Sequence, residues 1–221
     1  MLLLWMADTE FFPSPQRDYP GEPLRRSSLD ADPMLLFDRW QQEAAQEDPL
    51  DAHSMTLATA DTQARPSARI VLLKQADQQG FVFFTNYQSR KAQELEANPF
   101  ASLVFYWPHL ELQVRVEGRV ERVSDRESDD YFGSRPRGSQ IAGSISPQSA
   151  MVESRESLEE AYRRLEEELD GRNPERPANW GGFRLRPSAV EFWKGRPDRL
   201  HDRILYTRLD DDVWEILRLA P

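Results

Sequence analysis

Leu110, Leu112, Val114 and Val116 alternate with Glu111, Gln113, Arg115 and Glu117 in the segment LELQVRVEGRVERV. This is the two-residue period of a strand with one buried face. Gly118 interrupts the alternation and predicts a bulge. Similar β texture runs through SMTLATA, SARIVLLK, FVFFTN and ASLVFYW from Ser54 onward, with DQQG as a turn signal between two of them. A further β region carries WGGFRLRPSAVEFW, RILYTRL and VWEILRL. Helical signals are fewer. Asp32-Pro33 supplies an N-cap and a first-turn proline for a helix to about Glu47, with Leu36, Trp40 and Ala44 on one face. Ser89 is placed to cap a helix that runs to Asn98 and is ended by Pro99. Ser157 and Glu160 form a capping-box pattern for a third helix with the stripe Leu158, Ala161, Tyr162, Leu165 and Leu169, stopped by Gly171. Residues 1–30, rich in Pro, Arg, Ser and Asp and without periodicity, predict a flexible arm. No repeat is present, and many closely spaced strands with few helices predict a mainly β, α+β domain over residues 31–221, a β-barrel decorated by helices.

Composition narrows the chemistry. The 221 residues suffice for one sizeable core, and 39% hydrophobic with 30% charged residues describes an ordinary soluble globular protein. A formal net charge of -10 argues against non-specific binding to nucleic acid or an anionic membrane, so phosphate recognition must rest on local basic clusters. With no cysteine, disulfides, thiolate-zinc sites and thiol nucleophiles are impossible. His53, His109 and His201 lack metal-ligand spacing, and no metal is expected. The opening MLLLWM is too short to span a bilayer and follows no basic region, which leaves a cytoplasmic protein as the expectation. No G-x-S-x-G elbow, P-loop or G-x-G-x-x-G occurs, so redox chemistry would need a bound organic cofactor. Of 28 basic residues only Lys74, Lys91 and Lys194 are lysines. A retained lysine suits a site that wants a compact ammonium, and two of the three fall among the candidates below.

In TNYQSRKAQELEANP, Arg90 and Lys91 occupy a first helical turn, where the dipole disfavours cations. A bound anion would remove the conflict; an exposed helix start that tolerates the mismatch is the plainer account. Arg69 and Lys74 bracket the apolar centre of RIVLLK, and their offset of five puts them on opposite faces of an ideal strand. YFGSRPRGSQIAG offers Tyr131, Arg135 and Ser139 at spacing four, suited to a phosphate on one helical face or to a polar loop. In VEFWKGRPDRLHDR, Arg199 and His201 share a side of an extended backbone, with Arg203 beyond. His201 there either donates to an anion or carbonyl or sits among ion pairs with Asp198 and Asp202.

Taken in order, RIVLLK, FFTNYQSRKAQELEANP, YFGSRPRGSQIAG, PQS, WGGFRL, VEFWKGRPDRLHDR and the terminal RLAP resemble the pyridoxine (pyridoxamine) 5'-phosphate oxidase family. The resemblance covers the chain from about residue 31 to its end. It implies a split β-barrel homodimer with FMN at the subunit interface. The implied reaction oxidises pyridoxamine or pyridoxine 5'-phosphate to pyridoxal 5'-phosphate, with O2 reoxidising the flavin to give hydrogen peroxide. Carried over by motif, FMN would be held by Arg69, Ile70, Val71, Leu72, Leu73, Lys74, Phe84, Thr85, Arg90, Lys91, Gln113, Gln148, Ser149, Trp193 and Arg203. The substrate would be held by Lys74, Tyr131, Arg135 and Ser139 at its phosphate and by Arg199, Leu200 and His201 over its ring, with Arg199 and His201 as the catalytic pair. The N-terminal motif reads QRDY, with Gln16 where the family usually has Arg. A phenazine-pathway flavin oxidase and a non-catalytic flavin- or pyridoxal phosphate-binding protein are the alternatives.

Overall fold

The computed structural model describes residue 19, residues 21–210 and residues 213–221. Helix α1 (Pro33–Glu47) begins as expected: the Asp32 carboxylate accepts the Met34 N–H at 2.8 Å, and Leu36, Trp40 and Ala44 are buried. Strands β1 (Ser54–Ala60), β2 (Pro66–Leu72), β3 (Gln75–Asp77) and β4 (Gly80–Asn86) follow. Helix α2 (Arg90–Ala97), β5 (Phe100–Trp107) and β6 (Leu112–Arg122) come next. Helices α3 (Asp125–Ser134), α4 (Arg137–Ile145) and α5 (Arg155–Leu169) precede β7 (Trp180–Lys194), β8 (Asp202–Asp210) and β9 (Val213–Arg218).

All pairings are antiparallel, in the order β2-β1-β5-β6-β7-β4-β3, with β8 on β7 and β9 on β8. The sheet curls until the chain just after β2 meets β4, where the Lys74 N–H donates to the Val82 carbonyl at 2.8 Å. The long β7 lies on β6 and gives its other edge first to β4, through Leu185 opposite Phe81, and then to β8, from Ala189 opposite Thr207. Pro187 falls in the gap between those two partners, where a missing N–H costs least. The bulge expected at Gly118 is present as a register shift between Glu117 and Gly118. A Cβ there would lie 2.0 Å from the Arg186 carbonyl oxygen, so only glycine lets the two strands approach. Phe37 of α1 plugs the curl, meeting Phe81 and Phe105 edge-on at 4.8 and 5.0 Å between ring centres.

Three local expectations need correction. Ser89 stands at the N-cap of α2, but its side chain makes no capping hydrogen bond. The third predicted helix starts one turn early, with Ser154 as its cap and Ser157 inside; its stripe is half-buried, and Asp170 ends it in the left-handed conformation at φ 46°. The YFGSRPRGSQIAG stretch forms two helices meeting at Arg135-Pro136, not one face of a single helix or a loop. Most of the arm expected over residues 1–30 lies outside the described residues, while Leu24 and Leu29 in its last part pack against the core.

Candidate functional site

A cavity of about 490 Å³ opens where β2 and β4 face α3 and α4. Its walls include Arg69 to Leu72, Lys74, Phe84, Thr85, Lys91, Tyr131, Arg135, Ser139, Gln148 and Trp180. Arg69 and Lys74 meet here despite their offset, because Leu73 and Lys74 lie past the end of β2 and strand alternation no longer governs them. One wall is aromatic: Phe84 stacks on Tyr131 at 4.0 Å and on Trp180 at 5.6 Å. The Arg135 guanidinium lies over Trp180 at 4.7 Å. Gln140, buried in α4, holds the corner that aims this arginine by donating to the backbone carbonyls of Gly133 and Arg135. Arg135 Nη1 is buried without a hydrogen-bond partner, and burial draws its pKa below that of an ordinary guanidinium. An orphaned cationic donor of this kind is costly, and a bound anion would satisfy it. Lys74 adds a second cation, its Nζ 5.9 Å from the Tyr131 ring centre.

The other end of the cavity is basic as well. Lys91 donates to Gln148 Oε1 at 2.9 Å, Thr85 Oγ1 at 3.0 Å and Ser89 Oγ at 3.4 Å, all neutral groups. Burial, with the Arg69 charge, lowers its pKa to about 8. Arg69 donates to Leu57 O, Thr59 Oγ1 and Ser67 Oγ, and pairs with Glu94 at 3.3 Å. Arg90 reaches the same carboxylate through Nε at 2.8 Å. The basic first turn of α2 is thus partly offset within its own helix by the i,i+4 pair. Burial pushes the Glu94 carboxyl upward, but hydrogen bonds from Ser67, Thr59 and Arg90 prevail and hold its pKa at about 2.

The remaining predicted residues form a second group. Gln113 on β6 lies opposite Trp193 on β7, which lies opposite Arg203 on β8. Arg203 is locked to Glu191 by bonds of 2.7 and 3.1 Å and donates to the Ala220 carbonyl at 2.9 Å. The backbone before β8 is not extended as expected: Pro197–Arg199 make a single 3-10 turn, with Asp198 and Arg199 at φ 55° and 61°. Two consecutive non-glycine residues in the left-handed region carry strain of the kind found at ligand sites. His201 lies tilted on Trp193 at 4.7 Å, and its Nδ1 accepts the Arg196 N–H at 3.1 Å. That bond requires a bare Nδ1, so the neutral ring carries its proton on Nε2 and can donate from there. Tyr19 meets both rings edge-on, while Gln16 to Asp18 lie outside the described residues.

Gln113, Trp193, Arg199, Leu200, His201 and Arg203 do not line the cavity. Nor does Leu73, which is buried in the core, nor Arg90 and Ser149, which flank Lys91 and Gln148. Three further residues shape the site with little signal in the sequence. Trp180 stands in WGGFRL as an aromatic residue at a strand start, Gln140 shows only as a polar residue in a small-residue run, and Glu94 carries the single signal of its i,i+4 spacing from Arg90.

Comparison with known proteins gives consistent results. The family profile described as "Pyridoxamine 5'-phosphate oxidase" matches residues 41–194, and that of the "Pyridoxine 5'-phosphate oxidase C-terminal dimerisation region" matches residues 180–221. The chain is 53% identical over 207 residues to a pyridoxine/pyridoxamine 5'-phosphate oxidase of Paraburkholderia phytofirmans, covering 93% of this chain and 97% of that one. It is 55% identical over 203 residues to the protein of the same name from Burkholderia mallei, covering 89% and 94%. Among solved structures, PhzG from Burkholderia lata in complex with tetrahydrophenazine-1-carboxylic acid superposes with a TM-score of 0.84 at 30% identity, covering 90% of this chain and 98% of that one. A pyridoxamine 5'-phosphate oxidase-related, FMN-binding protein from Nostoc punctiforme shares the fold, with a TM-score of 0.70 at 18% identity over 88% of this chain and 99% of that one.

Proposed function

The chain belongs to the pyridoxamine 5'-phosphate oxidase family, and from that premise we propose how its two groups of side chains divide the work. It is an FMN-dependent oxidoreductase that converts pyridoxamine and pyridoxine 5'-phosphate to pyridoxal 5'-phosphate, reducing oxygen to hydrogen peroxide. FMN supplies the hydride acceptor when bound, and the protein's part is positioning and charge.

In and beside the cavity, Arg69 and Lys91 with the flanking Arg90 hold the FMN phosphate, while Ile70 to Leu72, Phe84, Thr85 and Gln148 lie along the rest of the cofactor, backed by Leu73 and the flanking Ser149. Lys74, Tyr131, Arg135 and Ser139 hold the substrate phosphate. From the second group, Gln113, Trp193 and Arg203 contact FMN, while Arg199, Leu200 and His201 cover the substrate ring. His201, its Nδ1 taken by the Arg196 N–H, presents its Nε2–H to the substrate as a hydrogen-bond donor. The observation that carries this reading is Arg135, a cation seated on Trp180 with a buried N–H that only an incoming acceptor would satisfy.

The chain carries the family's C-terminal dimerisation region, which spans β7 to β9. We place FMN between two subunits, the cavity of one facing the Gln113–Trp193–Arg203 line of its partner. This reading accounts for the separation of the two groups on one chain and for Ile70 and Leu72, which are 64% and 45% exposed on the rim of the cavity. No helix among the described residues is long and apolar enough to cross a membrane.

The likeness to the phenazine-bound PhzG structure supports a second reading, oxidation of an unphosphorylated tricycle. Such a substrate brings one carboxylate, a single charge with two acceptor oxygens, whereas Lys74, Tyr131, Arg135 and Ser139 together suit the two charges and three free oxygens of a phosphate, which favours the phosphorylated one. Peroxide release from the FMN-loaded protein separates these readings. Pyridoxamine 5'-phosphate should give peroxide and pyridoxal phosphate absorbance, whereas unphosphorylated pyridoxamine should give at least about a hundredfold less kcat/KM, the worth of two charge-assisted hydrogen bonds. Equal turnover of both amines would remove the phosphate assignment, and bound flavin without turnover would point to a carrier.

A further inference from the structure

Glu94 is the one carboxylate among the described residues that bonds both Arg69 and Arg90. Its side chain is only 6% exposed. Oε2 accepts from Thr59 Oγ1, from Ser67 Oγ at 2.6 Å and from Arg69 Nη2 at 3.3 Å, while Oε1 accepts from Arg90 Nε at 2.8 Å. All four neighbours are donors. A carboxylate suits that environment, whereas an amide would turn an N–H₂ group against one of them. Thr59 and Ser67 lie opposite one another on β1 and β2, so Glu94 also ties the start of α2 to that hairpin.

We propose that Glu94 is a positioning residue for the cofactor phosphate, fixing the Arg69 and Arg90 guanidinium groups side by side so that both address one anion. The inference rests on the assignment of Arg69, Arg90 and Lys91 to the FMN phosphate made above. Three cations against one buried carboxylate leave two positive charges in excess, the charge of a phosphate monoester dianion near neutral pH. Arg90 spends its Nε–H on Glu94, which orients its fork and leaves the terminal nitrogens for the ligand. Without the carboxylate, two neighbouring cations would repel and swing apart.

The opposing expectation is simple electrostatics. A buried anion beside a phosphate repels it, so its removal should tighten binding. The two accounts therefore predict opposite signs.

The test titrates the full-length protein with FMN and with riboflavin, which lacks the phosphate, by quenching of flavin fluorescence. Wild type, Glu94→Gln and Glu94→Ala are compared. The wild type should prefer FMN over riboflavin by about a hundredfold or more. Glu94→Gln, which preserves shape, should weaken FMN by about tenfold and Glu94→Ala by about thirtyfold or more, the range for removing a group that orients a ligand contact. Riboflavin should stay within about twofold in both variants. Unchanged or tighter FMN binding in Glu94→Gln overturns the proposal in favour of repulsion. Equal losses for FMN and riboflavin overturn it in favour of a purely structural tie between α2 and the hairpin. If the wild type itself does not distinguish FMN from riboflavin, the assignment of the phosphate to this end of the cavity fails, and the proposal with it.

Discussion

The cavity and the β7–β8 face each present a row of basic side chains, but they neutralise them differently. On the β7–β8 face, Arg203 and Arg115 both lean on the buried Glu191, and Arg218 and Arg196 both reach Asp202. In the cavity, Lys91 has only neutral acceptors, Lys74 has an aromatic ring, and Arg135 keeps a buried N–H with no acceptor at all. The first arrangement pairs these four arginines already in the free protein and sets shape. The second is left unfinished, which costs stability that a bound anion restores. The α2 start lies between the two, with one carboxylate serving two arginines and charge left over.

Substitution at the two places should separate these roles most sharply. Arg135→Ala should lower kcat/KM for pyridoxamine 5'-phosphate by about a hundredfold or more, while the thermal midpoint stays level or rises because an unsatisfied buried donor is gone. Glu191→Gln should do the reverse. It leaves Arg203 without its anion, Arg115 keeping Glu117 at 2.7 Å, and should cost about 2 kcal/mol of stability, with a smaller effect on activity. Denaturant unfolding beside steady-state kinetics checks both. Equal stability losses at the two positions would erase the distinction.

A pH profile sharpens the same contrast with a smaller effect. Lys91 titrates at about 8 in the free protein, lowered by burial and by the Arg69 charge. Below that pH the ammonium is already present, and a phosphate binds without proton uptake. Above it, binding must recruit a proton, so FMN affinity should fall by up to about tenfold per pH unit until the raised pKa of the complex is passed. Lys91→Arg should flatten the slope, since a guanidinium stays charged. Folding stability responds in the opposite sense. Between about 8 and the ordinary lysine value of 10.5 the unfolded chain binds more protons, so this group's contribution to stability grows with pH.

Much of the framework was legible in the chain because it rests on local, periodic signals. The Asp32-Pro33 start of α1, the alternation along β6 and the Gly118 bulge each need only neighbours in sequence, and all three are present. Helices α3 and α4 were not legible as such: each buries just two residues, Ser128 with Phe132 and Gln140 with Ile141, too few for an apolar stripe. The start of α5 was misplaced because Ser157 and Glu160 satisfy a capping pattern that Ser154 fulfils in fact. Family motifs brought the cavity residues forward, but not the turn that puts Arg199 at positive φ, nor the role of Glu94. Both depend on contacts between segments far apart in sequence, Glu94 with Thr59 and Ser67, His201 with Trp193 and Tyr19.

The central claim is that the cavity of one subunit and the β7–β8 face of another make a single site. The direct test co-expresses Arg135→Ala, which damages the cavity, with His201→Ala, which damages the face, and measures peroxide from pyridoxamine 5'-phosphate. Random pairing in a two-fold dimer makes half of the molecules mixed, each with one site intact and one doubly damaged, so activity should recover to about a quarter of wild type. Activity no higher than that of the two parent variants would contradict the account, because it would mean that both groups act within one chain.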